Sequence, residues 1–191
     1  MKSESMSCFI KGENIMLRAL EMADIDDGYL FWVNDLEVNQ FLEVGRFPTS
    51  REQLAKIVTM TKEGPPSTIM FAVVERNSGR YIGNVKLGPI DWINRNAEYG
   101  RLIGEKMAHG KGYGSELTRL LLRYAFNSLG LHKVTAGVVQ GNLAAMKSNQ
   151  NAGLEIEGTI KDGTFLGGRF KDVLRMGITK TQWEQRGNGS L

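Results

Sequence analysis

His109-Gly110-Lys111-Gly112-Tyr113-Gly114-Ser115 sets three glycines and one lysine between two segments of different periodicity. Behind it, Leu117, Leu120, Leu121, Tyr124 and Ala125 recur at helical spacing. Ahead of it, residues 97–103 read as a strand that ends at Gly104. A strand, a glycine loop and a helix N-terminus in that order suit a phosphate-bearing ligand. The glycines let the backbone approach closely, and the first N–H groups of the helix point at the anion. The alternative is a glycine-rich strand-to-helix turn that holds nothing.

Two nucleotide motifs fail. A Walker loop requires lysine followed by serine or threonine after its last glycine, and Gly112 follows Lys111 here. The dinucleotide fingerprint requires glycines at offsets 0, 2 and 5, but Ser115 occupies the third place counted from Gly110, and Leu117 occupies it counted from Gly112. No acidic residue ends a following strand about 20 residues on, where a ribose partner belongs.

The loop resembles the pyrophosphate loop of the GNAT acyltransferase superfamily, whose pattern is Gln/Arg-x-x-Gly-x-Gly/Ala. Gly112 and Gly114 match it, and His109 stands where the family usually has glutamine or arginine. The order of elements agrees. The pattern predicts a strand over 14–19, helices over 23–33 and 50–60, and strands over 69–75, 81–88 and 97–103. A helix over 114–128, a strand over 133–140, a helix over 142–151, and strands near 154–159 and 173–179 follow. Asn34-Asp35 starts a further turn reaching about Leu42, Ser50 and Gln53 form a capping box, and Pro89 is expected to close the strand over 81–88. This is a mixed α/β pattern. The resemblance makes it the GNAT fold, a central, mostly antiparallel twisted sheet flanked by helices, as one domain over 1–191 with a flexible tail from about 184.

Composition bounds the function. The chain has 191 residues, 41% hydrophobic and 24% charged, which is globular. Its net charge of +3 is spread without a basic run, so nucleic acid has no support. One cysteine, Cys8, and two histidines give neither an internal disulfide nor a convincing metal site. No long apolar segment or signal-peptide core is present, so a cytoplasmic protein without membrane contact is expected.

A second match lies at residues 142–154. The family often carries Asn-x-x-(Ala/Ser), a polar position further along, and then Gly-Phe. Here Asn142, Ala145, Asn149, Gly153 and Leu154 fill those places. Without the family, Asn142 is a good N-cap and Gly153 suits the residue after a helix end. The resemblance implies that Asn142 and Asn149 contact the pantetheine arm of acetyl-CoA. It also removes the usual tyrosine acid, because Asn149 stands in its place.

The resemblance further implies a diphosphate site at His109, Gly110, Lys111, Gly112, Tyr113, Gly114 and Ser115. Carbonyl polarisation would come from a backbone N–H near Leu102, Ile103 and Gly104, where the family's strand splays from its neighbour. Glu98 is the expected base, directly or through a water. Its alternatives are an exposed strand glutamate or one that only binds a cationic substrate. Tyr99 points to the opposite face of the strand. On the acceptor side, Trp32, Asn34, Phe41 and Trp92 are candidate contacts, with plain core or rim packing as the alternative for the aromatics. Three functions follow. One is acetyl-CoA-dependent N-acetylation of a small primary amine, an amino-sugar nucleotide preferred. The others are N-terminal acetylation of a protein, as in the ribosomal-protein branch, and a non-catalytic acyl-CoA-binding module. A homodimer is common among such relatives.

Overall fold

A computed structural model describes residues 8–60 and 66–188. Its centre is an eight-stranded sheet in the order β1-β2-β3-β4-β5-β6-β8-β7. The strands are β1 (Ile10–Lys11), β2 (Ile15–Ala19), β3 (Ile69–Glu75), β4 (Tyr81–Asp91), β5 (Asn96–Ile103), β6 (Lys133–Val139), β7 (Glu155–Leu166) and β8 (Arg169–Thr179). Every neighbouring pair is antiparallel except β5 and β6, which run parallel.

Alternation along the strands gives the sheet two apolar faces. Ile15 and Leu17 of β2, Phe71 and Val73 of β3, and Ala97 and Tyr99 of β5 join one buried cluster. That cluster includes Leu117, Leu121 and Ala125 of the helical segment that begins with α4 (Tyr113–Arg123). α5 (Leu143–Asn151) lies against α4. Ala72 of β3 and Leu102 of β5 face the other way. They meet Trp32 and Val33 of α2 (Leu30–Asn34) and Leu54 and Val58 of α3 (Arg51–Met60).

The expected early helix is interrupted. α1 (Met22–Asp24) passes through a π-helical turn at Ile25–Tyr29, with Gly28 at φ 149°, into α2. The Asp24 carboxylate, 1% exposed, takes both Arg18 amino groups at 2.6 and 2.7 Å and so clamps α1 to β2. The capping box at Ser50 and Gln53 forms as expected, in both directions.

Three boundaries move. β4 does not stop at Pro89; its register shifts between Leu87 and Ile90 and pairing resumes to Asp91, because an irregularity absorbs the missing donor. β7 and β8 extend to Leu166 and back from Arg169 around Gly167 and Gly168, both at positive φ. That is a two-residue hairpin turn of the kind glycine pairs favour. After β8, α6 (Lys180–Trp183) places Trp183 in the first cluster, and residues 184–188, expected in the tail, continue it as a turn kinked at Gly187, φ 77°. Residues 189–191 lie outside the described residues. Among the described residues no helix is long and apolar enough to cross a membrane.

Candidate active site

The parallel pairing of β5 and β6 lasts for three residue pairs, Asn96 with Lys133, Ala97 with Val134, and Glu98 with Thr135. Beyond Glu98 the strands part. Residues 99–103 and 136–139 then line opposite walls of a cleft of about 670 Å³, closed by residues 108–115, by α5 and by the 37–42 turn.

The edge that β5 turns to this gap follows from its pairing with β4. Gly104 N–H donates to Ile82 O at 3.1 Å, so Gly104 and, two residues back, Leu102 direct their amides at β4. Ile103 faces the other way, and its carbonyl oxygen lies 2.9 Å from His109 Nε2. Ile103 and Arg101 therefore aim their N–H groups into the gap. This corrects the expectation for Leu102 and Gly104, whose amides face β4, and leaves Ile103 of the three. Gly104 has another function: a side chain there would come within 2.0 Å of the Trp32 indole.

The glycine loop closes the outer end. Gly112 caps α4 in the left-handed region, φ 82°, and its carbonyl accepts from Ser115 N and Glu116 N. None of the five amides from Gly110 to Gly114 has an acceptor among the described residues. Lys111 is the one loop residue that leaves the cleft. Its Nζ meets Glu75 Oε1 at 3.0 Å, beside the Tyr113 hydroxyl at 2.7 Å, while Ser78 donates to Glu75 Oε2 at 2.6 Å. The hydroxyls of Ser78 and Tyr113 and the Lys111 ammonium hold the Glu75 carboxyl down at about 2.

On α5, Asn142 is the N-cap, its Oδ1 accepting from Ala145 N at 3.1 Å. Asn149, 2% exposed, lines the deep end. Its Oδ1 accepts from the Tyr99 hydroxyl and from Arg101 Nη1. Arg101 Nη1 also donates to Tyr99 Oη and Thr118 Oγ1 at 2.9 Å, and Nη2 reaches Ser148 Oγ and, at 3.4 Å, Ala145 O. Sequence reasoning missed this cluster, although period-two alternation sets Tyr99 and Arg101 on one face and so was enough to pair them.

Glu98 lies on the opposite face, at the point where the strands separate. Its Oε2 accepts from Arg175 Nη1 at 2.7 Å, and Arg175 Nη2 donates to Thr135 at 2.9 Å. Its Oε1 makes no hydrogen bond among the described residues and lies 3.6 Å from where a side chain on the cleft-lining Gly137 would begin.

The four acceptor-side candidates separate. Phe41 lines the cleft, with Lys171 Nζ 5.4 Å from its ring centre. Trp32 is core, packed on Tyr81 with ring centres 5.0 Å apart. Asn34 bonds Leu30 O and both backbone groups of Thr49, tying a loop. Trp92 sits in the turn before β5, at the far end of that strand from the glycine loop, donating to Pro66 O at 3.2 Å. The structure brings none of these last three to the cleft.

Residues 14–155 match the family model of the acetyltransferase (GNAT) domain, and the chain belongs to that family of N-acyltransferases. It is 34% identical to the spermidine N(1)-acetyltransferase of Vibrio cholerae over 90% of this chain and 96% of the relative. It is 28% identical to the uncharacterized N-acetyltransferase p20 of Bacillus licheniformis, over 90% and 96%. A crystal structure of the Vibrio cholerae spermidine N-acetyltransferase with CoA and spermine superposes with a TM-score of 0.81. It is 27% identical and matches 90% of this chain and 98% of that one.

Proposed function

We propose that this chain transfers an acetyl group from acetyl-CoA to the primary amine of a small molecule that also carries negative charge, an amino-sugar nucleotide being the preferred class. The supporting observation is the run of five amides at 110–114 without acceptors among the described residues, opening on a gap between two strands. In this reading Gly110 to Gly114 hold the diphosphate, with Ser115 beside them and His109 fixing the loop to β5. Asn142 and Asn149 flank the pantetheine arm, and the N–H groups of Arg101 and Ile103 polarise the thioester carbonyl.

Glu98 takes the proton of the incoming amine on its free Oε1. An ammonium of pKa about 10 costs about 4 kcal/mol to neutralise at pH 7, so a base at this point matters. The amine attacks the carbonyl carbon directly, within one complex of both substrates.

Charge supports the acceptor class. Glu37, the one carboxylate lining the cleft among the described residues, is paired with Lys106, and the nearby Glu98 and Glu43 are paired with Arg175 and Arg46. Lys171, over Phe41, has no acidic partner among the described residues. A polycation meets only carboxylates that already have a basic partner here, whereas an anionic amine meets a lysine without an acidic partner among the described residues. The spermidine acetyltransferase relatives favour a second reading, a polyamine acceptor.

Thiol release from acetyl-CoA, measured across amino-sugar nucleotides, polyamines and N-terminal peptides, tests both. Turnover confined to polyamines would replace the first reading by the second. Coenzyme binding without thiol release from any amine would leave a binding module.

A further inference from the structure

We infer that Arg101, on β5, supplies the positive charge that the glycine loop lacks, and that its guanidinium faces the diphosphate of the coenzyme. The inference rests on the acetyl-transfer reading and deepens it, because it adds a binding residue from outside the loop.

The loop offers no cation of its own. Lys111 turns out to Glu75 at 3.0 Å, and His109 Nε2 lies 2.9 Å from Ile103 O. Lys106, just ahead of the loop, is paired with Glu37. The first turn of α4 carries a carboxylate, Glu116, which is 9% exposed and accepts from Asn14 and Ile15 at the start of β2. A diphosphate brings full negative charge, which the dipoles of a helix start and a few amides offset only in part.

Arg101 is the cation that remains. It is half-buried in the cleft wall, and every group it touches is neutral. Nη1 donates to Tyr99 Oη, Thr118 Oγ1 and Asn149 Oδ1, each at 2.9 Å, and Nη2 donates to Ser148 Oγ and Ala145 O. Those contacts take the Nη hydrogens and leave the Nε–H, which has no acceptor among the described residues. No carboxylate among the described residues forms an ion pair with Arg101. A partly desolvated guanidinium without a counter-ion is costly to keep unless a ligand supplies the negative charge.

The open hydrogen lies at the loop. Nε is 3.7 Å from where a side chain on Gly114 would begin, and the Gly114 amide is one of the five without acceptors. Glycine at 114 leaves no side chain to stand between the two. The surrounding hydroxyls hold the guanidinium without cancelling its charge. Thr118 donates its proton to Gly114 O at 2.8 Å and Tyr99 donates its own to Asn149 Oδ1, so both turn lone pairs to Nη1. Arginine suits this place because one part of its planar fork fixes position while the rest stays free for phosphate.

Calorimetry of coenzyme A and 3′-dephospho-coenzyme A, with pantetheine measured by competition against coenzyme A, tests the assignment. All three share the thiol arm, and pantetheine lacks the diphosphate. Arg101→Met should weaken both coenzymes about tenfold or more, leave pantetheine unchanged, and raise KM for acetyl-CoA by a similar factor. Wild-type affinity for coenzyme A should also fall more steeply with added salt than that of the variant. Equal weakening of all three ligands would make Arg101 a strut between α4 and α5 and overturn the inference. Unchanged coenzyme affinity, equal salt slopes, or a loss confined to the ligand with a 3′-phosphate would overturn it too. Should Arg101→Met not fold, Arg101→Gln removes the charge but keeps a polar amide in the cluster, and the same pattern and the same contrary outcomes apply to it. If wild type binds no coenzyme A, or binds it no better than pantetheine, the reading of the loop itself has failed.

Discussion

Arg175 Nη1 donates to Glu98 Oε2 at 2.7 Å, and this contact leaves the second carboxylate oxygen of Glu98 toward the gap between β5 and β6. The pair leaves the carboxylate with one anchored oxygen and one that the proposed role as base would use. Replacing Glu98 with glutamine keeps the anchor and removes the base. Turnover should fall about 100-fold while coenzyme affinity is unchanged. Superimposable pH–rate profiles for wild type and Glu98→Gln would remove Glu98 as base.

Gly112 holds φ 82° with open space where a side chain would begin, whereas a side chain on Gly114 would lie 3.4 Å from Ser148 Oγ. Gly112→Ala should therefore fold, losing about 1–2 kcal/mol to left-handed strain. Gly112→Asp and Gly114→Asp should abolish coenzyme binding, because they set negative charge against the amides proposed to hold the diphosphate. Calorimetry with coenzyme A, beside a thermal melt of each variant, separates lost binding from lost folding.

Glu75 ties the glycine loop to β3 through Lys111 and Tyr113, and its carboxyl is held at about 2. A depressed folded-state pKa stabilises the protein above the ordinary glutamate value of about 4.3, and that contribution is lost as pH falls toward the folded value. Stability should thus decline between about pH 4 and 2 in wild type. In Glu75→Gln that part of the profile should be flatter. Urea midpoints across this range, compared for the two proteins, provide the check.

The Arg18–Asp24 pair is buried and bidentate, and Asp24 Oδ2 also accepts from Glu21 N at 2.8 Å. Removing one partner strands the other charge. Asp24→Asn should cost about 3–5 kcal/mol in urea unfolding, more than the double variant Arg18→Met/Asp24→Leu. A single variant as stable as wild type would show that the pair contributes nothing.

Local patterns carried most of the architecture. The helix behind the glycine loop, the capping box at Ser50 and the alternation in β2 to β6 depend on neighbours within a few residues. The errors arose where distant residues decide. Trp32, Asn34 and Trp92 are candidate acceptor contacts on sequence, with core or rim packing as the alternative for the two tryptophans. The fold sets all three away from the cleft, and only the fold reveals that Gly104 is a glycine because the Trp32 indole fills its side-chain space. Pro89 marked a break in hydrogen bonding correctly, but not that β4 resumes beyond it. The extent of β7 is not legible from burial, because nearly all of it is exposed, Ile156, Ile160 and Phe165 included, although Gly167-Gly168 is a visible turn signal. Alternation along β5 pairs Arg101 with Tyr99, but the partners of Arg101 17 and 48 residues away have no local signature.

The three rungs that join β5 to β6 leave the sheet as two panels, five strands and three strands wide, sharing one short seam. A cosubstrate lodged past that seam is then a structural member as well as a reagent. Saturating coenzyme should raise the melting temperature by mass action. It should also slow amide exchange along residues 99–103 and 136–139, the two free margins it spans, more than along the outer strands.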